Sequence, residues 1–104
     1  FRDIGFYFPD NDKSNFQLDS SKIVSKSLDL LKERGLMPKN IDITVVAGVP
    51  KLTKYIDDMI VKTSKLTSLA KENISIKATT SEGLGRVGDS SGIAVYSLVS
   101  LTSL

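Results

Sequence analysis

Three strand-like runs, with one helical run before them and another after the first, constrain this chain more than any other feature. Residues 41–49 alternate and then turn continuously apolar through Val46 and Ala47, as a strand covered on both faces does. Residues 74–80 alternate again, with Ile74, Ile76 and Ala78 on one face. Residues 93–101 are apolar almost throughout, Tyr96, Ser97 and Ser100 excepted. That last run is expected inside a sheet or against another subunit.

The helical runs carry their own punctuation. Ile23, Val24, Leu28 and Leu31 recur at helical spacing, leaving Lys22, Lys26, Asp29 and Lys32 for solvent. Asp19 or Ser20 can cap the start, Leu18 can staple it, Gly35 suits the stop, and Pro38 bars continuation. Pro50 fits the first turn of a second helix, whose face is traced by Leu52, Ile56, Met59, Ile60, Thr63 and Leu66. Residues 3–12 read as a loop anchored by Ile4, Phe6 and Phe8. The order loop, α, β, α, β, β predicts an α+β fold, an α/β sandwich whose mixed sheet carries helices on one face.

Composition narrows the functions open to such a fold. At 104 residues the chain is one domain, 1–104. A net charge of +2, spread without a basic block, and 7% aromatic residues argue for neither nucleic acid nor a membrane surface as partner. No apolar run approaches the roughly 20 residues that span a bilayer. Cysteine and histidine are both absent. That excludes disulfides, thiolate metal sites, a Ser-His-Asp triad and histidine-ligated zinc built from these residues.

The richest chemistry lies in residues 74–92. Thr79, Thr80, Ser81 and Glu82 fall where a strand runs out. Hydroxyls, backbone N–H groups and one acid there suit a phosphate and its cation. The plainer alternative is a Gly-rich hairpin with polar residues facing water. Lys51, where a strand hands over to a helix, can meet an anion, or it is a solvated surface lysine. Residues 83–88 match G-x-G-x-x-G, but a strand-like run follows instead of a helix, so this is no dinucleotide fingerprint. From Asp10 the spacing resembles a calcium loop, yet Asn15 and Ser21 stand where Gly and Glu are required.

Four segments in order resemble the 2-C-methyl-D-erythritol 2,4-cyclodiphosphate synthase family. They are Asp3-Ile4-Gly5, Phe8-Pro9-Asp10-Asn11-Asp12, Ala47-Gly48-Val49-Pro50-Lys51, and residues 77–85 from Lys77 through Glu82 to Gly85. Residues 92–94 resemble the family's closing strand. The resemblance implies closure of 4-diphosphocytidyl-2-C-methyl-D-erythritol 2-phosphate to a cyclic diphosphate, with release of CMP, in non-mevalonate isoprenoid biosynthesis. It further implies a homotrimer packed sheet to sheet about a threefold axis, with sites shared between neighbours.

Residue by residue, it implies that Asp3 and Gly5 hold the ribose, with Ile4 between them. Phe8, Pro9, Asp10, Asn11 and Asp12 would line the methylerythritol phosphate pocket. Ala47, Gly48, Val49, Pro50, Lys51, Leu52 and Thr53 would frame the cytosine, Lys51 also neutralising diphosphate charge. Ala78, Thr79, Thr80 and Ser81 would meet the phosphates, with Thr80 stabilising the transition state, and Glu82 would hold magnesium or manganese. The family's zinc ligands, histidines among them, fall upstream of Phe1, and the chain begins without Met, so a fragment is expected. Arg86, Asp89, Ser91 and Gly48 depart from the family pattern, the first two in a pocket on the trimer axis. A non-catalytic trimeric nucleotide-diphosphate-binding module is the alternative for this stretch. The implied compartment is a plastid-type organelle, apicoplast or chloroplast stroma, or the bacterial cytoplasm.

Overall fold

A computed structural model describes residues 2–9, 11, 19–47, 50–80 and 92–104, without the side chains of Pro50 and Lys51. In chain order the elements are α1 (Ile4–Tyr7), α2 (Ser20–Glu33), β1 (Leu36–Ala47), a 3-10 turn (Pro50–Tyr55), α3 (Ile56–Thr67), a short 3-10 turn (Lys71–Asn73), β2 (Ile74–Thr79) and β3 (Ile93–Ser103). The sheet is mixed, in the order β2-β1-β3, with β1 parallel to β2 and antiparallel to β3. The expected α+β class holds.

Alternation decides which face of the sheet is covered. Ile41, Ile74 and Ile76 point to one side and close on Leu69, while Ile43, Ile56, Met59 and Ile60 pack around them. Because Ile41 pairs with Ile74 and Ile43 with Ile76, the isoleucines stand in rows beneath α3. The opposite face carries Asp42 and Thr44, paired with Ser75 and Lys77 on β2 and with Leu98 and Tyr96 on β3.

The α2 boundaries follow from local chemistry. The Asp19 carboxylate accepts the Ser21 N–H at 2.9 Å and caps the helix. Gly35, at φ +71°, supplies the left-handed residue that ends it, and its carbonyl accepts the Leu104 N–H at 2.9 Å. The suggested staple, Leu18, lies outside the described residues.

Several expectations need correction. Residues 4–7 form a helical turn instead of a loop, because Asp3 accepts the Phe6 N–H at 3.1 Å and caps it. β1 begins at Leu36, not residue 41. Pro38 is buried within it, at an irregularity between Pro38 and Asn40 where β1 and β3 shift register. A bulge is one of the few sheet positions that tolerates proline. The second helix opens as a 3-10 turn and becomes α-helical at Ile56. The plain hairpin reading fails: β2 and β3 are not neighbours, and β1 lies between them.

Of the two places expected for β3, the interior of the sheet is excluded: it forms an edge of the described sheet, with Ile93, Val95, Tyr96, Leu98, Val99 and Leu101 all exposed. Accessible surface totals 7728 Å². A compact monomer of this mass shows roughly 5,700 Å². None of the described helices is long and apolar enough to cross a membrane.

Two outcomes follow. Ile76→Ala should lower unfolding free energy by about 2–5 kcal/mol in urea denaturation, since it opens a cavity in the isoleucine rows. The Ser21 backbone N–H, chiefly, holds the Asp19 carboxyl below its usual 3.8. A depressed carboxyl adds stability above its unfolded pKa that is lost as pH falls through the folded one. NMR titration of the Ser21 and Lys22 amides should therefore show a midpoint below 3.8, absent in Asp19→Ala.

Candidate functional site

Parallel pairing brings two chain segments out of the sheet at one end. Val46 pairs with Thr79, so the carboxyl ends of β1 and β2, at Ala47 and Thr79, lie side by side. Ala47 is 4% exposed, which anchors the start of its segment in the fold. The 3-10 turn that follows packs back against β2. Leu52 is half-buried and Thr53 exposed. On β2, Ala78 is half-buried and Thr79 exposed, its hydroxyl donating at 3.5 Å to the carbonyl of Thr80, which follows the strand and is half-buried. Carboxyl ends of neighbouring parallel strands are where open α/β sheets bind ligands.

A second group stands elsewhere. Asp3, Ile4, Gly5, Phe8 and Pro9 are placed by α1, which lies against α2. Ile4, Tyr7 and Phe8 enclose a cavity of about 310 Å³ with Ile23 and Leu30, and Arg2 and Lys26 also reach its lining. Lys26 was expected to face solvent. The Arg2 guanidinium lies 4.6 Å from the Phe6 ring centroid, a cation–π contact that steadies this turn. A Cβ on Gly5 would meet nothing closer than Asp3 Oδ1, at 3.6 Å, an ordinary contact. Among the described residues, then, packing does not require glycine there.

The structure thus joins Ala47, Leu52, Thr53, Ala78, Thr79 and Thr80 at one sheet end. The α1 group stands instead beside α2, where Ile4, Tyr7 and Phe8 share a cavity with Ile23, Leu30 and Leu31. Asn11 is exposed. Asp10, Asp12, Gly48, Val49, Ser81, Glu82, Arg86, Asp89 and Ser91, and the side chains of Pro50 and Lys51, lie outside what is described. Among the described residues no three His, Cys, Asp or Glu side chains cluster as metal ligands do. With no histidine or cysteine in the sequence, these residues do not fit a histidine zinc site.

One charged cluster escaped the sequence reading. Lys77 is ion-paired with Asp42 and donates to Ser75 Oγ at 3.2 Å. Strand alternation places Lys77 on the face opposite Ile76, but only the parallel register brings it to Asp42.

Comparison with known proteins fits this geometry. The YgbB family model matches residues 1–102. The 2-C-methyl-D-erythritol 2,4-cyclodiphosphate synthase of Agathobacter rectalis is 42% identical over 102 residues, covering 98% of this chain and 58% of that protein. The chain spans between 58% and 65% of the length of such curated relatives. The bifunctional IspDF of Campylobacter jejuni superposes with a TM-score of 0.89 at 35% identity, over 98% of this chain and 28% of that one. The CDP complex of Plasmodium falciparum IspF gives 0.82 at 27% identity, over 98% and 60%.

Proposed function

This chain belongs to the YgbB family, and we propose that the polypeptide carrying it is a 2-C-methyl-D-erythritol 2,4-cyclodiphosphate synthase, a phosphorus–oxygen lyase. The observation that carries the reading is identity of 42% sustained over 98% of the chain with a protein of that name. The pairing of Val46 with Thr79 at the carboxyl ends of β1 and β2 supports it.

In the proposed reaction the 2-phosphate of the substrate attacks the diphosphate phosphorus nearer the methylerythritol. The bond from that phosphorus to the CMP oxygen breaks, and CMP leaves with its electron pair. The protein's part is positioning and charge neutralisation. Residues 47–53 frame the cytosine, and Lys51 offsets diphosphate charge. Thr79 and Thr80 donate to phosphate oxygens, Thr80 to the one that gains charge. Asp3 and Gly5 take the ribose, and residues 8–12 take the methylerythritol phosphate. Magnesium or manganese at Glu82, and zinc held by residues outside this chain, would supply further charge neutralisation when bound.

The same reading makes the protein a homotrimer, packed sheet to sheet about a threefold axis. Two observations support it. The α1 group and the strand-end group stand apart within one chain, as halves of a shared site would, and β3 exposes six large apolar residues. The 104 residues are read as one domain of a longer polypeptide, acting in a plastid-type organelle or a bacterial cytoplasm.

Phosphorus NMR of the complete polypeptide with substrate and divalent metal tests the assignment. CMP and a cyclic diphosphate are expected. CDP binding without either product would leave the non-catalytic nucleotide-binding module instead. Thr80→Ala should lower kcat about 10²–10³-fold with CDP binding kept. Turnover close to wild type would remove its assigned role. Gly5→Ala should leave the thermal midpoint unchanged or higher, alanine being the better helix former by roughly 1 kcal/mol. Its CDP affinity should nonetheless fall at least about tenfold in calorimetry, the cost of leaving a ribose hydroxyl poorly paired. Unchanged affinity would remove Gly5 from the ribose site.

A further inference from the structure

The face of the sheet turned away from α3 is unusual for a surface that meets water. Two rows cross it. Ser75, Asp42 and Leu98 form one; Lys77, Thr44 and Tyr96 form the next. Leu98 is 74% exposed and Tyr96 67%. β3 contains no charged residue from Ile93 to Leu104, although solvent-facing edge strands ordinarily carry charge to prevent association. Among the described residues of these two rows the charges are Asp42 and Lys77, which cancel each other in the ion pair that joins the rows, and Ser75 Oγ accepts a further ammonium N–H.

Such a face has no net charge to offer an acidic or a basic partner. It complements a surface that is equally neutral and equally apolar, and an identical copy of itself meets both conditions.

We propose that the Asp42–Lys77 pair, supported by Ser75, is the polar element at which this sheet face docks on further copies of the chain and that it fixes how those copies align. The proposal rests on the oligomer reading above and goes beyond it by naming the residues that govern assembly. In the isolated chain the two side chains are 56% and 54% exposed, where such a pair contributes little and salt screens it. Once a second copy covers them, both are desolvated. Loss of either partner then strands a buried charge, while loss of both does not.

Sedimentation velocity of the complete polypeptide, across a concentration series at low and high salt, tests this. Asp42→Asn and Lys77→Met should each raise the dissociation constant of the assembly about ten- to a hundredfold, as unpaired interfacial charges do. The loss should be similar at both salt concentrations, and the double variant should recover most of it. Single variants that assemble like wild type, or whose loss disappears at high salt, would overturn the proposal in favour of an open surface pair. If a single variant does not fold, as judged by circular dichroism, the double variant carries the test. Assembly near the wild-type constant is expected, and dispersal into single chains would overturn it. A wild-type protein that sediments as one chain would instead remove the oligomer reading itself.

Discussion

Parallel pairing of β1 with β2 through rows of isoleucine is the interaction on which the rest depends. Ile41 opposite Ile74 and Ile43 opposite Ile76 fix the register, because a slip of one residue would turn every isoleucine toward the wrong face. With that register set, Val46 stands beside Thr79 at the carboxyl ends of the two strands. The same register sets Lys77 within reach of Asp42 on the other side. One apolar decision therefore determines both a polar strand end and a neutral outer face.

Legibility in the sequence follows how local each determinant is. The ends of α2 were readable because Asp19 and Gly35 act within one turn of themselves. The isoleucine alternation of β2 was readable for the same reason. Pro38 misled: it does bar a helix, but it sits in a strand at the one irregularity where a missing N–H is tolerated. Neighbour order was not readable at all. Residues 74–101 look like a hairpin until β1, made earlier, is seen to lie between the two strands. Thr79 and Thr80 could be picked out as candidates from their place at a strand end, whereas Ala47 came only through the family resemblance. The Asp42–Lys77 pair could not, since its partners lie far apart in sequence and meet only through the parallel ladder.

Incompleteness has a consistent direction. The helix-covered side of β1 and β2 is buried, whereas β3 is bare on both faces and the α1 group stands away from the strand ends. A chain of this size can cover one side of a three-stranded sheet with two helices and has little left for a second. At Gly5, among the described residues, an added Cβ would meet only Asp3 Oδ1 at ordinary contact distance.

The position of β3 also shapes how the protein is made. β1 needs both neighbours, but β3 follows it by the 45 residues from 48 to 92. At synthesis rates of about 5–20 residues per second, one flank of β1 stays open for roughly 2 to 9 seconds on the ribosome. During that interval β1 and β2 can already be sealed beneath α3, with an uncapped row of backbone donors and acceptors facing outward. The nascent chain thus carries an unpaired strand edge until β3 arrives to close it.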